Sequence, residues 1–436
     1  MAEKVVKTAF ERIEEKFGSS FKKLGPEVLE GLPTISTGSL LLDEALNESK
    51  GYPEGCIVEV FGPQHSGKTL LGLLAIAESQ RKHPDRPCLI VDAERQFLYQ
   101  AKWAQQLGVD VTKLYHTTVT SAEEAFSKIE MAVLGEVQLD KDGVVKRVIK
   151  PGNFGIIMID SVSQLVPLEE VHKSMDQSTR LAALAAAMAR GLRKVVSAQS
   201  LVSSKTILYF INQTRSNPNA RMFQNPETRT GGNALPFYDT IAFRVSKVYK
   251  SEERDSKNKI SSHEVKVKFE KNKTGQIPAD AITFRIKYDG TGVDNEGELF
   301  SVAEMNGLVK RMKNARKGNP ALFNFIKPET KDKGKDEIEL LDDSIEDFPL
   351  NDFGKVLEEN TEVKDMIMNF IREGSFYVKD DEVEEDNPDV SEEQALSKKE
   401  EKKEEKKEES EWDLEAKKVE DSEDKPKKRR RRKNSE

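Results

Sequence analysis

The sequence predicts an α/β fold with a mostly parallel central sheet that helices cover on both faces. Strand-like and helix-like segments alternate from about residue 34 to about residue 289. The strand-like segments are continuous apolar runs, such as 154–159, and such runs are typical of parallel strands that are buried on both faces. A glycine-rich turn at residues 62–69 joins one of these strands to a helix, which is a recurring α/β unit.

Local patterns predict each element in order. Helices are expected where apolar residues recur at helical spacing, and strands where apolar residues are continuous. The predicted elements are a strand at 56–61, a helix ending at residue 81, a strand at 87–91, a helical stretch ending at residue 108, a helix at 122–134, a strand at 154–159, a helix at 181–196 and a strand at 206–211.

Two further β features are predicted. Three β-rich runs, at about 239–249, 262–270 and 281–288, are expected to extend the sheet in antiparallel fashion. Residues 136–151 contain an Asp-Gly pair between β-prone flanks, and this pattern predicts a small inserted hairpin.

Composition and pattern divide the chain into four expected segments. Phe10, Ile13 and Phe17 recur at helical spacing near the start, in a segment too short to bury this apolar stripe by itself. The stripe must therefore dock on another surface. The expected segments are an N-terminal helix and linker at 1–33, an α/β core at 34–290, a small α/β domain at 291–378 and a disordered charged tail at 379–436.

The tail has almost no apolar residues, and its composition is typical of a chain that cannot form a core. Residues 379–424 carry 22 acidic and 9 basic residues. The tail then ends in a basic cluster at 427–433. We interpret this cluster either as a solvated end or as a segment that tethers DNA or directs targeting.

Composition also excludes several classes of protein. No apolar run is long enough to cross a bilayer, and the N-terminus lacks the apolar stretch of a signal peptide. Two cysteines, Cys56 and Cys88, exclude a disulfide framework, so a cytoplasmic location without a membrane partner is expected. The net charge of −8 means that any nucleic-acid site must be a local basic feature.

The glycine-rich turn carries the pattern of a phosphate-binding loop. Its glycines allow backbone N–H groups to turn toward phosphates, and the following helix adds a partial positive charge. We expect Lys68 to bridge the β- and γ-phosphates of ATP and the Thr69 hydroxyl to bind Mg²⁺. The residues of the loop are Gly62, Pro63, Gln64, His65, Ser66, Gly67, Lys68 and Thr69.

Three polar residues follow predicted strands and so should meet at the carboxyl edge of the sheet. Asp160 ends a buried strand and is a second candidate Mg²⁺ ligand. Glu94 follows the strand at 87–91, where a carboxylate can activate the attacking water or can be merely a solvated loop acid. Gln213 follows the strand at 206–211, where its amide can bond the γ-phosphate and report its loss to the next segment.

That next segment is a long polar loop at 214–230, and long loops inside a compact sheet are usually functional. Arginines around an apolar pair suit phosphate contacts combined with base stacking, while a surface loop is the alternative. The candidate DNA-binding residues are Arg215, Arg221, Met222, Phe223, Arg229, Gly231 and Gly232. Lys271 and Lys273 end another predicted strand, and from the residues alone they are interpreted as a solvated edge.

Together these motifs resemble the RecA recombinase family, which includes bacterial proteins and related phage recombinases. The resemblance is strongest from about residue 9 to about residue 288. It is carried by Ile35-Ser36-Thr37-Gly38-Ser39, the phosphate-binding loop, Asp92-Ala93-Glu94, Ile159-Asp160-Ser161, Phe210-Ile211-Asn212-Gln213, Asn225-Pro226-Glu227-Thr228, Thr230-Gly231-Gly232-Asn233-Ala234-Leu235 and Lys271-Asn272-Lys273.

The resemblance implies roles for the site residues. Glu94 is then the catalytic glutamate, and Gln213 couples the γ-phosphate to a DNA-binding loop at 214–230, in which Phe223 lies beside stacked bases. Residues 169–179 correspond to a first DNA loop. Lys271 and Lys273 reach across a filament interface to the ATP of a neighbour, so the resemblance reverses their interpretation as a solvated edge.

The resemblance also implies interface and base contacts. Trp103 corresponds to the aromatic residue that stacks on adenine, with Tyr99 as the alternative. Phe237 and the N-terminal helix correspond to parts of the subunit interface. Departures from the family pattern are Pro236, Leu184, the hairpin at 136–151 and the long tail. These departures leave two properties undetermined: how duplex DNA enters the filament, and whether the protein has co-protease activity.

The function expected from these residues is a DNA-dependent ATPase that forms helical filaments on single-stranded DNA. It pairs that strand with homologous duplex DNA and exchanges strands in recombinational DNA repair, with ATP and Mg²⁺ as cofactors. Loader or single-strand-binding partners are expected to use the tail. Two alternatives stay open: a ring-forming or helicase-type ATPase, and a DNA-coating protein that binds ATP without turnover. The sequence does not distinguish a bacterial from a viral source.

Overall fold

The computed structural model describes the protein in thirteen stretches of sequence. Phe10 and Phe17 of the predicted N-terminal helix lie outside the described residues, as does the whole predicted tail. The described residues are 12–13, 33–46, 50–139, 145–149, 152–174, 182–197, 204–216, 227–275, 277, 281–313, 320–327, 340–342 and 344–373.

A large mixed sheet forms the centre of the fold. Its strands are β3 Ile57–Gly62, β4 Cys88–Asp92, β5 Leu114–Thr118, β8 Ile156–Asp160, β9 Ile207–Ser216, β10 Glu227–Arg229, β11 Ile241–Lys247, β12 Glu253–Arg254, β13 Ile260–Asn272, β14 Ile282–Lys287 and β15 Gly292–Val293. They follow the order β15-β14-β13-β11-β3-β9-β8-β4-β5, with β10 added to β9 and β12 added to β13.

In the described part of the chain, three smaller sheets accompany it. A short pair lies near the start of the described chain, the inserted hairpin forms a second pair, and a three-stranded sheet follows the core. The strands are β1 Thr34–Ile35 and β2 Tyr52–Pro53, β6 Glu136–Leu139 and β7 Val145–Ile149, and β16 Val309–Lys313, β17 Leu322–Phe325 and β18 Phe348–Pro349. The antiparallel pairing of β6 with β7 confirms the hairpin predicted at 136–151.

Helices pack on both faces of the central sheet. The α-helices whose bounds lie in the described residues are α1 Leu40–Ala45, α2 Lys68–Lys82, α3 Phe97–Gln106, α4 Ala122–Leu134, α5 Leu168–Val171, α6 Ala183–Ser197, α7 Ala234–Tyr238, α8 Asn295–Met305, α9 Phe353–Glu359 and α10 Thr361–Glu373. Short 3₁₀ helices occur at Val111–Lys113, Val162–Gln164 and Leu350–Asp352.

Alternate strand residues point to opposite faces, and each face has its own helices. On one face α2 packs so closely that a Cβ added at Gly72 would lie 2.5 Å from Met158 Sδ. On the other face α4 and α6 pack on each other and on Ile157, Leu208 and their neighbours in one buried cluster. The predicted α/β fold with a mostly parallel, helix-covered sheet is therefore confirmed.

The prediction that the three late β-rich runs are all antiparallel is wrong for the first of them. Strand β11 pairs in parallel with β3, and only β13, β14 and β15 continue in antiparallel fashion. The cause is the connection that precedes β11. Strand β10 and helix α7 lie between β9 and β11 and form the crossover that a parallel strand requires, whereas no helix separates β11, β13 and β14 among the described residues.

A small module of α8 to α10 and the three-stranded sheet follows the central sheet. Its core is a group of phenylalanine rings with centroids about 5 to 6 Å apart. The proposed boundaries at 33/34, 290/291 and 378/379 stay predictions. Among the described residues, no helix is long and apolar enough to span a membrane.

Candidate nucleotide-binding site

The phosphate-binding loop lies between β3 and α2, as the sequence predicts. Gly62 ends β3 so close to β11 that a Cβ added there would lie 2.0 Å from the carbonyl oxygen of Val245. Gly67 precedes the first turn of α2 with a φ of 94°, in the left-handed region that favours glycine. The two glycines therefore shape a tight loop whose end points the N-terminus of α2 toward the carboxyl edge of the sheet.

Lys68 is a buried cation at this helix start. Its Nζ donates to the carbonyl oxygen of Pro63 at 2.5 Å and to the hydroxyl of Ser66 at 3.4 Å. Burial lowers the pKa of Lys68, while Asp160 and Glu94 act in the opposite direction. Phosphate oxygens are stronger acceptors than these neutral oxygens, so the lysine lies where a bound phosphate can recruit it.

Thr69 and Asp160 form the pair of oxygen donors that a divalent cation would use. The Thr69 hydroxyl donates to Asp160 Oδ2 at 2.9 Å. Burial raises the pKa of Asp160 to about 7, and the nearby Glu94 carboxylate adds to the rise. Mg²⁺ prefers oxygen ligands and keeps several waters, so one hydroxyl and one carboxylate beside a phosphate site fit this ion.

Glu94 is held between the ends of three strands. Its backbone N–H donates to the Asp160 carbonyl at 3.2 Å. Its Oε1 accepts from the Ser161 hydroxyl at 2.7 Å and from the Gln213 amide at 3.2 Å. The structure thus brings Glu94, Asp160 and Gln213 together at the carboxyl edge. Ser161 is an additional contact that the sequence prediction did not place in the site.

A cavity of about 430 Å³ joins these groups to a more apolar end. Trp103 on α3 lines it, whereas Tyr99 on the same helix is 89% exposed and is not among its lining residues. His263 and Tyr288 also line this cavity, and their rings stack with centroids 5.5 Å apart, with Tyr288 Oη 3.0 Å from His263 Nδ1. Burial lowers the pKa of His263, and Lys247 adds to this effect.

Sequence reasoning missed His263, Tyr288 and Gln100 as lining residues of this cavity. Gln100 lies one helical turn before Trp103, so periodicity along α3 was an available signal. His263 and Tyr288 reach the site only because β13 and β14 pair beside it. No local pattern marks that pairing as part of a nucleotide site.

The predicted DNA loop begins and ends as a two-stranded ladder. Strand β9 extends to Ser216, beyond its predicted end at residue 211, and pairs with β10. The backbone of Arg215 lies in this ladder, opposite Thr228. Arg221, Met222 and Phe223 lie outside the described residues. Gly231 and Gly232, with φ of 90° and 74°, make the turn into α7.

Arg229 ends β10, and its side chain contacts acidic groups and an aromatic ring. Its guanidinium lies 3.7 Å from the centroid of the Phe61 ring. It donates to Glu59 at 2.6 Å and also to Glu270, with only 17% of its side chain exposed. The structure therefore places Arg229 in a protein charge cluster instead of on an open surface for phosphate.

The predicted interface residues lie close to one another. Lys271 donates to the carbonyl oxygen of Pro236 at 2.7 Å and forms an ion pair with Asp239. Lys273 is exposed, and Phe237 is 75% exposed on α7. Lys271 Nζ lies 3.4 Å from the Phe237 carbonyl oxygen, and an apolar ring with this exposure near a lysine is compatible with a subunit interface.

These features define a class of protein. A glycine-rich loop between a strand and a helix, a buried lysine and a hydroxyl–carboxylate pair at the carboxyl edge form the site of a P-loop nucleotide-binding protein. The family model described as the RecA N-terminal domain matches residues 4–294. The chain therefore belongs to the RecA family.

Relatives named Protein RecA are similar over most of their length. The chain is 35% identical to the Protein RecA of Desulforapulum autotrophicum, over 71% of this chain and 81% of that protein. It is 34% identical to that of Chloroherpeton thalassium over 76% of this chain and 89% of that protein. It is 36% identical to that of Bacillus mycoides over 70% of this chain and 80% of that protein.

Proposed function

We propose that the protein is a DNA-dependent ATPase that forms filaments on single-stranded DNA and catalyses homologous pairing and strand exchange. One observation carries the coupling of ATP to DNA. The Gln213 amide bonds the Glu94 carboxylate, and the same strand continues into the ladder that opens the 214–230 loop. Strand β9 therefore connects Gln213, which would sense the γ-phosphate, directly to the DNA loop.

ATP binds with its phosphates on the loop at 62–69. Backbone N–H groups of the loop and the N-terminus of α2 hold the phosphate oxygens, and Lys68 bridges the β- and γ-phosphates. Thr69 and Asp160 would hold Mg²⁺, which would supply positive charge beside the phosphates. Trp103 stacks on the adenine, a role for which the 89% exposed Tyr99 is less well placed.

Glu94 acts as the base that orients and activates the attacking water. The hydroxyl of Ser161 and the amide of Gln213 hold its Oε1, so the other carboxylate oxygen is available to the water. Gln213 releases Glu94 when it turns to the γ-phosphate. Hydrolysis then removes the group that keeps Gln213 in its ATP-bound position.

DNA binds along the loops at 169–179 and 214–230. Arg215 and Arg221 contact phosphates, and Met222 and Phe223 contact the stretched bases, while Gly231 and Gly232 act as the hinge of the second loop. Arg229, at the end of β10, anchors the C-terminal end of this loop through Glu59 and Glu270. Base pairing between the bound strand and a homologous duplex, and not the protein, reads the sequence.

Subunits assemble with ATP between them. Lys271 and Lys273 approach the ATP of a neighbour, and the exposed Phe237 lies in the same interface. The protein acts in the cytoplasm, and the charged tail recruits loader or single-strand-binding partners.

The test is ATP hydrolysis measured with and without single-stranded DNA at matched salt. Strong stimulation by DNA supports the recombinase, and strand-exchange assays follow from it. An ATP hydrolysis rate that DNA does not change, together with closed rings in electron micrographs, would favour the ring-forming ATPase. Binding of ATP without turnover would favour a DNA-coating protein.

A further inference from the structure

A charge cluster joins the nucleotide site, the base of the 214–230 loop and the predicted interface lysine. We call it the Asp239 cluster, and its members are Glu59, Arg229, Asp239, Glu270 and Lys271. Glu59 and Asp239 are fully buried. Arg229 bonds Glu59 and Glu270, and Lys271 bonds Asp239. The cluster therefore holds three carboxylates against two cations.

Asp239 is the point at which the two cations meet. Lys271 Nζ bonds Oδ1 of Asp239, whereas Oδ2 has no hydrogen-bond donor among the described residues. Arg229 Nη1 lies 3.9 Å from Oδ2, just outside hydrogen-bond distance. A buried carboxylate oxygen without a donor is uncommon and unfavourable. A shift of Arg229 by about 1 Å would bring its guanidinium to hydrogen-bond distance of this oxygen.

We propose that Asp239 is a positioning residue that exchanges Lys271 for Arg229 when Lys271 turns to the ATP of a neighbouring subunit. The proposal rests on the proposed function, because it needs Lys271 at that interface. An ionised carboxylate that is fully buried cannot lose its cation without a large penalty. Arg229 is the cation already within reach, so it takes the place that Lys271 leaves.

The exchange moves the base of the DNA loop. Arg229 ends β10 and pairs across the ladder with Thr214, at the other root of the loop. Its partner Glu59 also accepts from the Asn212 amide at 2.9 Å, and Asn212 precedes Gln213. A guanidinium that shifts toward Asp239 loosens its contacts with Glu270 and Glu59. Contact between subunits and the state of the DNA loop thus become linked through one carboxylate.

Asp239→Asn tests the exchange in the full-length protein. The amide keeps the size of the side chain, and the cluster then holds two carboxylates and two cations. Lys271 loses its intrachain ion pair, so ATP turnover without DNA should rise about tenfold, the scale on which one such interaction changes an equilibrium. The ratio of turnover with and without single-stranded DNA should fall toward one, because Arg229 no longer has a carboxylate to move to.

Asp294→Asn is the matched control. Asp294 pairs with Lys287 at 2.8 Å beside the same sheet, without contact to the Asp239 cluster, and asparagine preserves its helix cap. This variant should keep the wild-type ratio. A merely structural role of Asp239 would lower the melting temperature and leave the DNA stimulation ratio unchanged, and that outcome overturns the proposal.

Glu270→Gln provides a second test that does not depend on a buried substitution. Glu270 is 36% exposed at its side chain, and its removal frees Arg229 to approach Asp239. DNA-independent turnover should rise about threefold, and the change should vanish in the Asp239→Asn background because the two substitutions act on one exchange. If Asp239→Asn does not fold, unchanged turnover in Glu270→Gln alone overturns the exchange. If DNA does not change the rate of ATP turnover by the wild-type protein, the proposed function itself is refuted, and the exchange that rests on it is refuted as well.

Discussion

The Ser161 hydroxyl is expected to orient the Glu94 carboxylate for attack by water. It donates to Glu94 Oε1 at 2.7 Å and is itself fully buried. The second donor to the same oxygen, the Gln213 amide, lies farther away at 3.2 Å. Ser161→Ala removes the shorter of these two hydrogen bonds and leaves the phosphate-binding loop untouched.

The size of the effect follows from the kind of hydrogen bond. A hydrogen bond to a charged group contributes about 1.5 to 3 kcal/mol. If the full contribution holds Glu94 in its reactive position, kcat should fall by about one to two orders of magnitude, since about 1.4 kcal/mol corresponds to a factor of ten. The KM for ATP should change little, because Ser161 is not among the residues that line the phosphate end of the cavity.

The assay is steady-state ATP turnover at saturating single-stranded DNA, with thermal unfolding as the check on folding. Ser163→Ala is the matched control. Ser163 lies 2.7 Å from the Ser161 hydroxyl, and no hydrogen bond joins it to Glu94 in the described structure, so its loss should change kcat by less than about threefold. A Ser161→Ala enzyme with wild-type kcat would refute this account of how Glu94 is oriented.

Three further outcomes are expected. Lys68→Ala should abolish ATP turnover because it removes the cation of the phosphate-binding loop. Normal turnover of this variant in a hydrolysis assay would refute the assignment of the loop as the ATP site. Burial raises the pKa of Glu298 from 4.5 to about 7, so the folded state holds a proton that the unfolded chain releases, and wild-type stability should fall between pH 5 and pH 8. Relative to Glu298→Gln, denaturant unfolding should show a loss of up to about 3 kcal/mol over that window, and parallel pH profiles would contradict the burial argument. Truncation after Tyr377 should speed loading onto duplex DNA at low salt, and equal loading rates would reduce the tail to a solvated or partner-binding segment.

Elements with strong local signals were predictable from the sequence. The predicted helix at 122–134 coincides with α4 because its ends are marked in the chain. The Ser121 side chain accepts from the Glu124 backbone at the start, and Gly135 follows at the end with a φ of 68°. The phosphate-binding loop was equally predictable, since its pattern fixes both a turn and the helix that follows.

Strand β5 and the direction of β11 were not predictable in the same way. Residues Leu114–Thr118 form an edge strand whose polar, partly exposed residues lack the continuous apolar pattern of the buried strands. The apolar run of β11 identifies a strand and not its direction. That direction depends on how β10 and α7 return the chain, which periodicity along the chain does not encode.

The roles hardest to predict from the sequence are those of charged residues whose partners are far away along the chain. Arg229 and Lys271 look alike from sequence, because each is a basic residue next to a loop or strand end. In the fold they meet Glu59 and Asp239, which come from β3 and from the residue after α7. A basic side chain can contact a phosphate only if the folded protein leaves it accessible. The order of the strands in the sheet, and not the local composition, decides which carboxylates surround that side chain. It therefore also decides whether the side chain can contact DNA or is held in an ion pair within the protein.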